Sequence, residues 1–230
     1  MSRLIMLMVP RIDLHTHSEF SPCSHDTSVQ KIVSTAEARG IEKVAITDHG
    51  TTHRPKWLRN YLLEVEKARR ETRIDVLTGM EVNIRADGSL AVGDEVLRGL
   101  DIIIGAVHML PVTRIIRRGS IVDEYIDVLS RALEVSNFHI LAHPTNLLWK
   151  KHIPPDKADL LIRGVKKKGI AVEMNYHHED PSPEFLKRCV DAGVTITPSS
   201  DAHRISDIGH YDWFQQRLVD IGRPVTWIQV

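Results

Sequence analysis

Two histidines one residue apart, His15 and His17 in the run RIDLHTHS, close a short apolar stretch of strand character. Side chains alternate across a strand, so both imidazoles face the same way at its C-terminal tip, the disposition of a metal clamp. A lone HxH fits ordinary surface or capped histidines equally well, because neutral imidazole is a frequent ligand without being a diagnostic one. Recurrence is what changes the reading. Asp48 and His49 follow the apolar run KVAIT, and Glu81 follows residues 74–80, with Asn83 two positions on. His108 ends DIIIGAV, His143 ends residues 138–142, and SSDAHR brings Asp201 and His203 after residues 194–198. His25 stands in the polar loop after the first clamp. Such a ring of imidazoles and carboxylates is mutually destabilising unless divalent cations supply the missing charge and accept the imidazole nitrogens. The donors outnumber what one tetrahedral site consumes.

These residues need a scaffold that brings strand ends together. Seven apolar runs of strand length, near residues 11–15, 43–47, 74–80, 101–107, 138–142, 170–174 and 194–198, alternate with segments of helical periodicity. Ser28 is placed to cap a helix carrying Val29, Ile32, Val33 and Ala36, with Gly40 as its stop. Residues 57–70 predict a helix facing inward through Leu58, Leu62, Val65 and Ala68, and residues 121–135 one carrying Tyr125, Val128, Leu129 and Leu133. Pro155 starts a helix ending in the lysine run 166–168, which reads as a solvated last turn; a nucleic-acid patch is the sharper alternative. Residues 183–192 and 211–221 complete the helices, and residues 225–228 supply a short final strand. Strands alternating with helices imply a parallel sheet, either open or closed. Ligand-type residues beyond almost every strand favour a barrel, which gathers its chemistry at the C-terminal rim, over an open sheet with one switch point.

Composition sets the frame. At 230 residues the expectation is one domain, residues 1–230. Thirty basic and thirty acidic residues leave no global field of the kind that draws nucleic acid or an acidic membrane. Two cysteines, Cys23 and Cys189, with no CxxC, argue against a disulfide framework and a thiolate zinc site, and point to a reducing cytoplasm. The apolar opening at residues 4–9 is too short to span a membrane and reads as a leading strand.

Taken in order, DLHTHS, AITDHG, GMEVN, AVHM, LAHP, VEMN and SSDAHR resemble the polymerase and histidinol phosphatase family of metallohydrolases, the PHP domains. The resemblance runs from residue 11 to about residue 204. It implies a distorted seven-stranded (β/α)7 TIM-like barrel with two or three divalent ions, zinc, manganese or iron, and phosphoesterase activity. It also implies one ion on His15, His17, Glu81 and Asp201, a second on Glu81, His108 and His143, and a third on His25, His49 and His203. His25 transfers least directly, because the length of the first loop varies in the family, and Cys23 is taken as a bystander.

Two cations sharing Glu81 can hold a bridging hydroxide at neutral pH, align it with phosphorus and neutralise the equatorial oxygens. Glu81, Asp201 and His203 thus act through the bound metals. Asp48 is expected to orient a neighbouring imidazole, and Arg204 to clamp phosphate through its planar fork. Asn83 and Asn175 are expected to line the site near the substrate. The expected partner is a small phosphate ester. Rival readings are a nuclease trimming nucleic-acid ends with the same metals, which needs a basic, stacking groove, and a non-catalytic barrel subunit. Amidohydrolases also begin with HxH on a barrel strand, but use a lysine bridge where this chain offers Glu81.

Overall fold

A computed structural model of the chain describes residues 8–118, 120–146 and 153–230. The expected leading strand at residues 4–9 falls almost wholly outside them. Nine strand segments are present among the described residues, all pairing in parallel: β1 Ile12–Asp13, β2 Lys43–Ile46, β3 His49–Gly50, β4 Asp75–Asn83, β5 Ile102–Ala106, β6 Ile140–Leu141, β7 Ala171–Asn175, β8 Thr195–Ser199 and β9 Thr226–Trp227. The sheet runs β1-β2-β4-β5-β6-β7-β8-β9. It curls until its edges meet at one rim, where Thr16 bridges Ala202 and the His17 N–H donates to the Ala202 carbonyl at 2.9 Å. At the other rim β9 takes the free edge of β8, pairing Thr195 with Thr226. The result is a distorted seven-stranded TIM-like ring, with β9 lying alongside β8.

Period-two alternation divides the strands by face. Along β5, Ile102, Ile104 and Ala106 turn into the barrel, where they meet Leu14, Ala45, Ile140, Ala142 and Ala171. On β7 the inward series begins at Ala171 and continues through Glu173 and Asn175, both fully buried. The interior is therefore apolar at the N-terminal end of the strands and polar at the C-terminal end. Outward faces pack under helices α1 Val29–Ala38, α2 Leu58–Glu71, α3 Asp94–Leu97, α4 Val112–Arg118, α5 Ile121–Val135, α6 Pro155–Lys168, α7 Pro183–Asp191 and α8 Tyr211–Ile221.

Local signals place most helix ends. Ser28, Ser120 and Ser182 accept from the backbone N–H groups of Lys31, Asp123 and Phe185, satisfying donors that a first turn leaves free. Gly169 closes α6 at φ 68°, a left-handed position suited to glycine. Some expectations change. The buried face of α2 is Tyr61, Val65 and Ala68, whereas Leu62 is 39% exposed. Tyr61 is drawn inward because its hydroxyl donates to the Ile46 carbonyl and accepts from the Gly79 N–H, each at 2.7 Å, pinning β2 to β4. Strand β4 runs on to Asn83, so Glu81 and Asn83 lie within a strand rather than beyond its end. The segment β3 was not expected at all; it hooks onto β4 with His49 opposite Glu81 and Gly50 opposite Val82. Helix α4, seven residues with Val112 and Ile116 exposed, has too little of an apolar face to be seen in the sequence.

Candidate metal centre

Each of the seven ring strands delivers a polar group to the C-terminal rim. His15 and His17 follow β1, and their Nε2 atoms converge to 3.1 Å. Asp201 follows β8 in a left-handed backbone, φ 52°, and His143 follows β6 at φ 27°. Such conformations cost on the order of 1–3 kcal/mol each in a non-glycine residue. Here the turn aims the side chains inward. Glu81 reaches the centre from β4. The His17 Nε2 to Asp201 Oδ1 distance is 3.0 Å, that from His15 Nε2 to the same oxygen 3.5 Å, and both imidazoles lie 3.6 Å from Glu81 Oε2. Donors about 2.0–2.1 Å from a central zinc ion stand about 3.3 Å apart along a tetrahedral edge. The His15, His17 and Asp201 atoms have about that spacing, and Glu81 Oε2 approaches both imidazoles at a similar distance.

The other carboxylate oxygen faces a second set. Glu81 Oε1 is 2.9 Å from His143 Nε2 and 3.1 Å from His108 Nε2. Glu81 thus presents one oxygen to each of two groups. Its Oε2 is buried without a hydrogen-bond partner, although His49 Nδ1 stands 2.7 Å away. A buried carboxylate oxygen left unsatisfied costs on the order of 1–3 kcal/mol, and a cation between these donors removes that penalty.

Hydrogen bonds leave lone pairs pointing inward. His15 Nδ1 donates to Glu173 Oε1 at 2.7 Å, which leaves Nε2 free. Ser21 Oγ gives its single proton to Asp48 at 2.6 Å and so accepts from His17 Nδ1 at 3.1 Å, freeing the second clamp nitrogen. Asp48 also takes the Ser18 N–H and hydroxyl, so it orients His17 through Ser21. His108 Nδ1 donates to Asn83 Oδ1 at 2.5 Å, and His203 Nδ1 to the Asp201 carbonyl at 2.8 Å. Neutral imidazoles held in one tautomer are the form that binds metal.

Electrostatics point the same way. Burial opposes charge on His15, but Asp201, Glu173 and Glu81 overcome it and lift its pKa well above the usual value. His49 and His143, also buried, are carried up to about 10 and about 9 against that burial, His49 by the neighbouring Cys23 and Glu81 and His143 chiefly by Glu81. Despite burial, Glu81 and Asp201 are held well below the carboxylate range by the surrounding imidazoles. The pocket gathers protons where no other positive charge is at hand, which is the demand a divalent ion meets. Burial takes His17 down to about 3 and His178 to about 4.

Among the described residues, four sets of donor atoms lie mutually within 4.8 Å: His15, His17 and Asp201; His49, Glu81 and His108; His143, His178 and Asp201; and His17, Cys23, His49 and His203. Eight of the nine expected ligands are brought together, and His25 is not. Its side chain is exposed, because its backbone N–H is tied to the His203 carbonyl at 3.0 Å, and Cys23 stands among the histidines instead. Asn175 does not line an open surface. It is buried, and its amide donates to Glu173 at 2.9 Å and to Asp201 at 3.0 Å. Asn83 is half-buried and bonded to His108, and Arg204 is exposed where it caps a 3-10 turn at Ile205–Asp207. Glu173 and His178 were missed. A carboxylate in the middle of the apolar run IAVEMN was the available signal for Glu173, since an isolated charge in a buried strand needs a partner.

Comparison with known proteins agrees with this geometry. The family model described as the PHP domain matches residues 13–177. A "Probable phosphatase" of Acetivibrio thermocellus is 29% identical over 93% of this chain and 88% of its own length. The DNA polymerase/3'-5' exonuclease PolX of Bacillus subtilis is 29% identical over 84% of this chain, which spans only 34% of that protein. A solved structure from Listeria monocytogenes, described as a candidate histidinol phosphatase, shares the fold with a TM-score of 0.67 at 15% identity, covering 86% of this chain and 97% of that one.

Proposed function

This chain belongs to the PHP domain family, and from that premise we propose that it hydrolyses a small phosphate ester using two to three divalent ions at the C-terminal rim of the barrel. The observation that carries the reading is Glu81, whose two oxygens face two separate sets of imidazoles, one oxygen lacking any hydrogen bond. The residues fit the ions. His15, His17, Glu81 and Asp201 would hold one, and Glu81, His108 and His143 a second; His49 and His203 contribute to a third. When bound, zinc, manganese or iron there supplies an activated water at neutral pH and neutralises charge on the phosphoryl oxygens.

The chain's own groups do the rest. Glu173, through His15, and Asp48, through Ser21 and His17, keep the clamp nitrogens unprotonated and aimed. Asn175 ties the Asp201 carboxylate to Glu173 and so fixes the angle at which it meets the clamp. His178, neutral and partly exposed at the mouth with Nε2 3.4 Å from Asp201 Oδ2, is placed to hydrogen-bond a substrate oxygen. Arg204, exposed three residues beyond Asp201, can reach an incoming phosphate from solvent.

A small substrate is favoured over nucleic acid. The lysine run closes α6 immediately before β7 begins, at the rim opposite the metal donors, and Lys166 there bonds the Ala192 carbonyl. Among the described residues no helix is long and apolar enough to cross a membrane. The test is phosphate release from sugar phosphates, nucleotides, amino-alcohol phosphates and short oligonucleotides, on protein stripped by chelator and reloaded with zinc, manganese or ferrous iron. Turnover is expected to vanish on stripping and return on reloading. Activity indifferent to chelation overturns the metal mechanism, and preference for oligonucleotide ends overturns the small-substrate reading.

A further inference from the structure

Cys23 occupies a position that the metal reading leaves without a role. It sits half-buried in the loop between β1 and α1 and carries a free thiol. Its sulfur lies within 4.8 Å of ligand nitrogens of His17, His49 and His203. The loop is fixed in place: Ser21 bonds Asp48, the Ser24 N–H reaches the Ser21 carbonyl, the Glu19 carboxylate takes the Val29 N–H, and the His25 N–H reaches the His203 carbonyl. The same tethers put the His25 side chain outside every donor set among the described residues. His203 commits Nδ1–H to a carbonyl, which leaves Nε2 for a ligand.

We infer that Cys23 is a thiolate ligand of the outermost metal position, completing a sulfur and nitrogen donor set with His49 and His203, and that this position takes a thiophilic ion of the zinc or ferrous class rather than manganese or magnesium. The inference rests on the metal centre proposed above. The chemistry separates the positions within one site. Glu81 and Asp201 give the inner positions carboxylate oxygen, which suits hard and borderline ions alike, whereas no carboxylate belongs to the outer set. Thiolate with imidazole selects zinc, cobalt or ferrous ions and discriminates against manganese. On binding, the sulfur–metal bond replaces the sulfur–hydrogen bond and the proton leaves to solvent, with no change of oxidation state.

Cobalt(II) added anaerobically to stripped, phosphine-reduced protein reads sulfur coordination directly, independent of turnover. Native protein and Cys189→Ser are expected to show a near-ultraviolet sulfur-to-cobalt charge-transfer band together with visible ligand-field bands. Cys23→Ser and Cys23→His should lose the first and keep the second. Cys23→Ser should also bind the last zinc equivalent more than about 100-fold less tightly, since loss of a direct donor exceeds the 10–100-fold typical of a supporting partner. Zinc, but not manganese, should protect Cys23 from iodoacetamide, as located by peptide mass. Ligand-field bands with no charge-transfer band in native protein overturn the thiolate assignment and leave the metal centre standing. Absence of cobalt binding overturns both. Equal protection by manganese overturns the selectivity.

Discussion

The inner and outer halves of the proposed metal centre are built from similar residues in dissimilar ways. His15, His17, Glu81 and Asp201 have side chains no more than 3% exposed. Each except Glu81 is held from behind, by Glu173, by Ser21 and Asp48, and by Asn175. His49, His108 and His203, at 22%, 30% and 14%, stand nearer solvent. A donor with a buried hydrogen-bond partner is fixed before any cation arrives, so the inner half is preorganised for tight retention. Outer donors retain contact with water, the side from which the proposed ester would enter. Burial supplies permanence; exposure supplies access.

The strongest way to break this contrast is Glu81→Gln, which removes charge from both halves at once. Both metals and activity should be lost, with rates down by more than about 1000-fold. Elemental analysis and initial rates decide it, and retention of two metals would mean that Glu81 does not bridge. His203→Ala sharpens the contrast from the other side. It should leave the inner ions in place while lowering the rate about 100-fold, the scale of one electrostatic stabiliser. If the inner ions also depart, the halves are not separable. Glu173→Gln keeps shape but weakens the grip on His15, and should cost about 10–100-fold in affinity for the innermost ion, read by competition with a chelating dye.

The smallest effect is one of pH and lies behind the site. Burial raises Asp180 to about 6 from 3.8, against hydrogen bonds from Thr145. A carboxyl whose folded pKa is raised binds a proton on folding between those values, so its contribution to stability falls as pH rises and is least favourable above about pH 6. Asp180→Asn, which cannot ionise, should therefore stabilise the metal-free protein at pH 8 by about 1 kcal/mol relative to its effect at pH 4, the full shift of about two pH units setting an upper limit near 3 kcal/mol. Thermal melts at both pH values check it.

How far the sequence reveals this arrangement depends on the range of the forces involved. KVAI and IIIGA are legible as strands because both of their faces are buried, and the serine caps of α1, α5 and α7 because capping is local. Two-residue β3 is not legible: His49 and Gly50 are strand only because they register against Glu81 and Val82, and Gly50 is needed because a Cβ there would lie 2.5 Å from the Met80 sulfur. Among Cys23, Ser24 and His25, the inward residue is chosen by bonds to Asp48 and His203, residues far along the chain, so histidine was expected where cysteine stands. Asn83 and Asn175 are polar at strand ends, which the sequence shows. That Asn83 bonds His108 and Asn175 bonds Glu173 and Asp201 depends on neighbours brought in by β5, β7 and β8.

The seam between β1 and β8 has a consequence in the order of events during folding. The Ser200 N–H meets the Asp13 carboxylate across a sequence separation of 187, and His17 meets Ala202 in the same place. Contacts between such distant segments form late, because loop closure must precede them. A growing chain that has reached α7 already carries His15, His17 and Glu81 but lacks Asp201 and His203. Closure of the ring and completion of the inner donor set are therefore one event, and a cation bound there as proposed would act as a latch on the finished barrel. Metal should slow unfolding far more than it speeds folding.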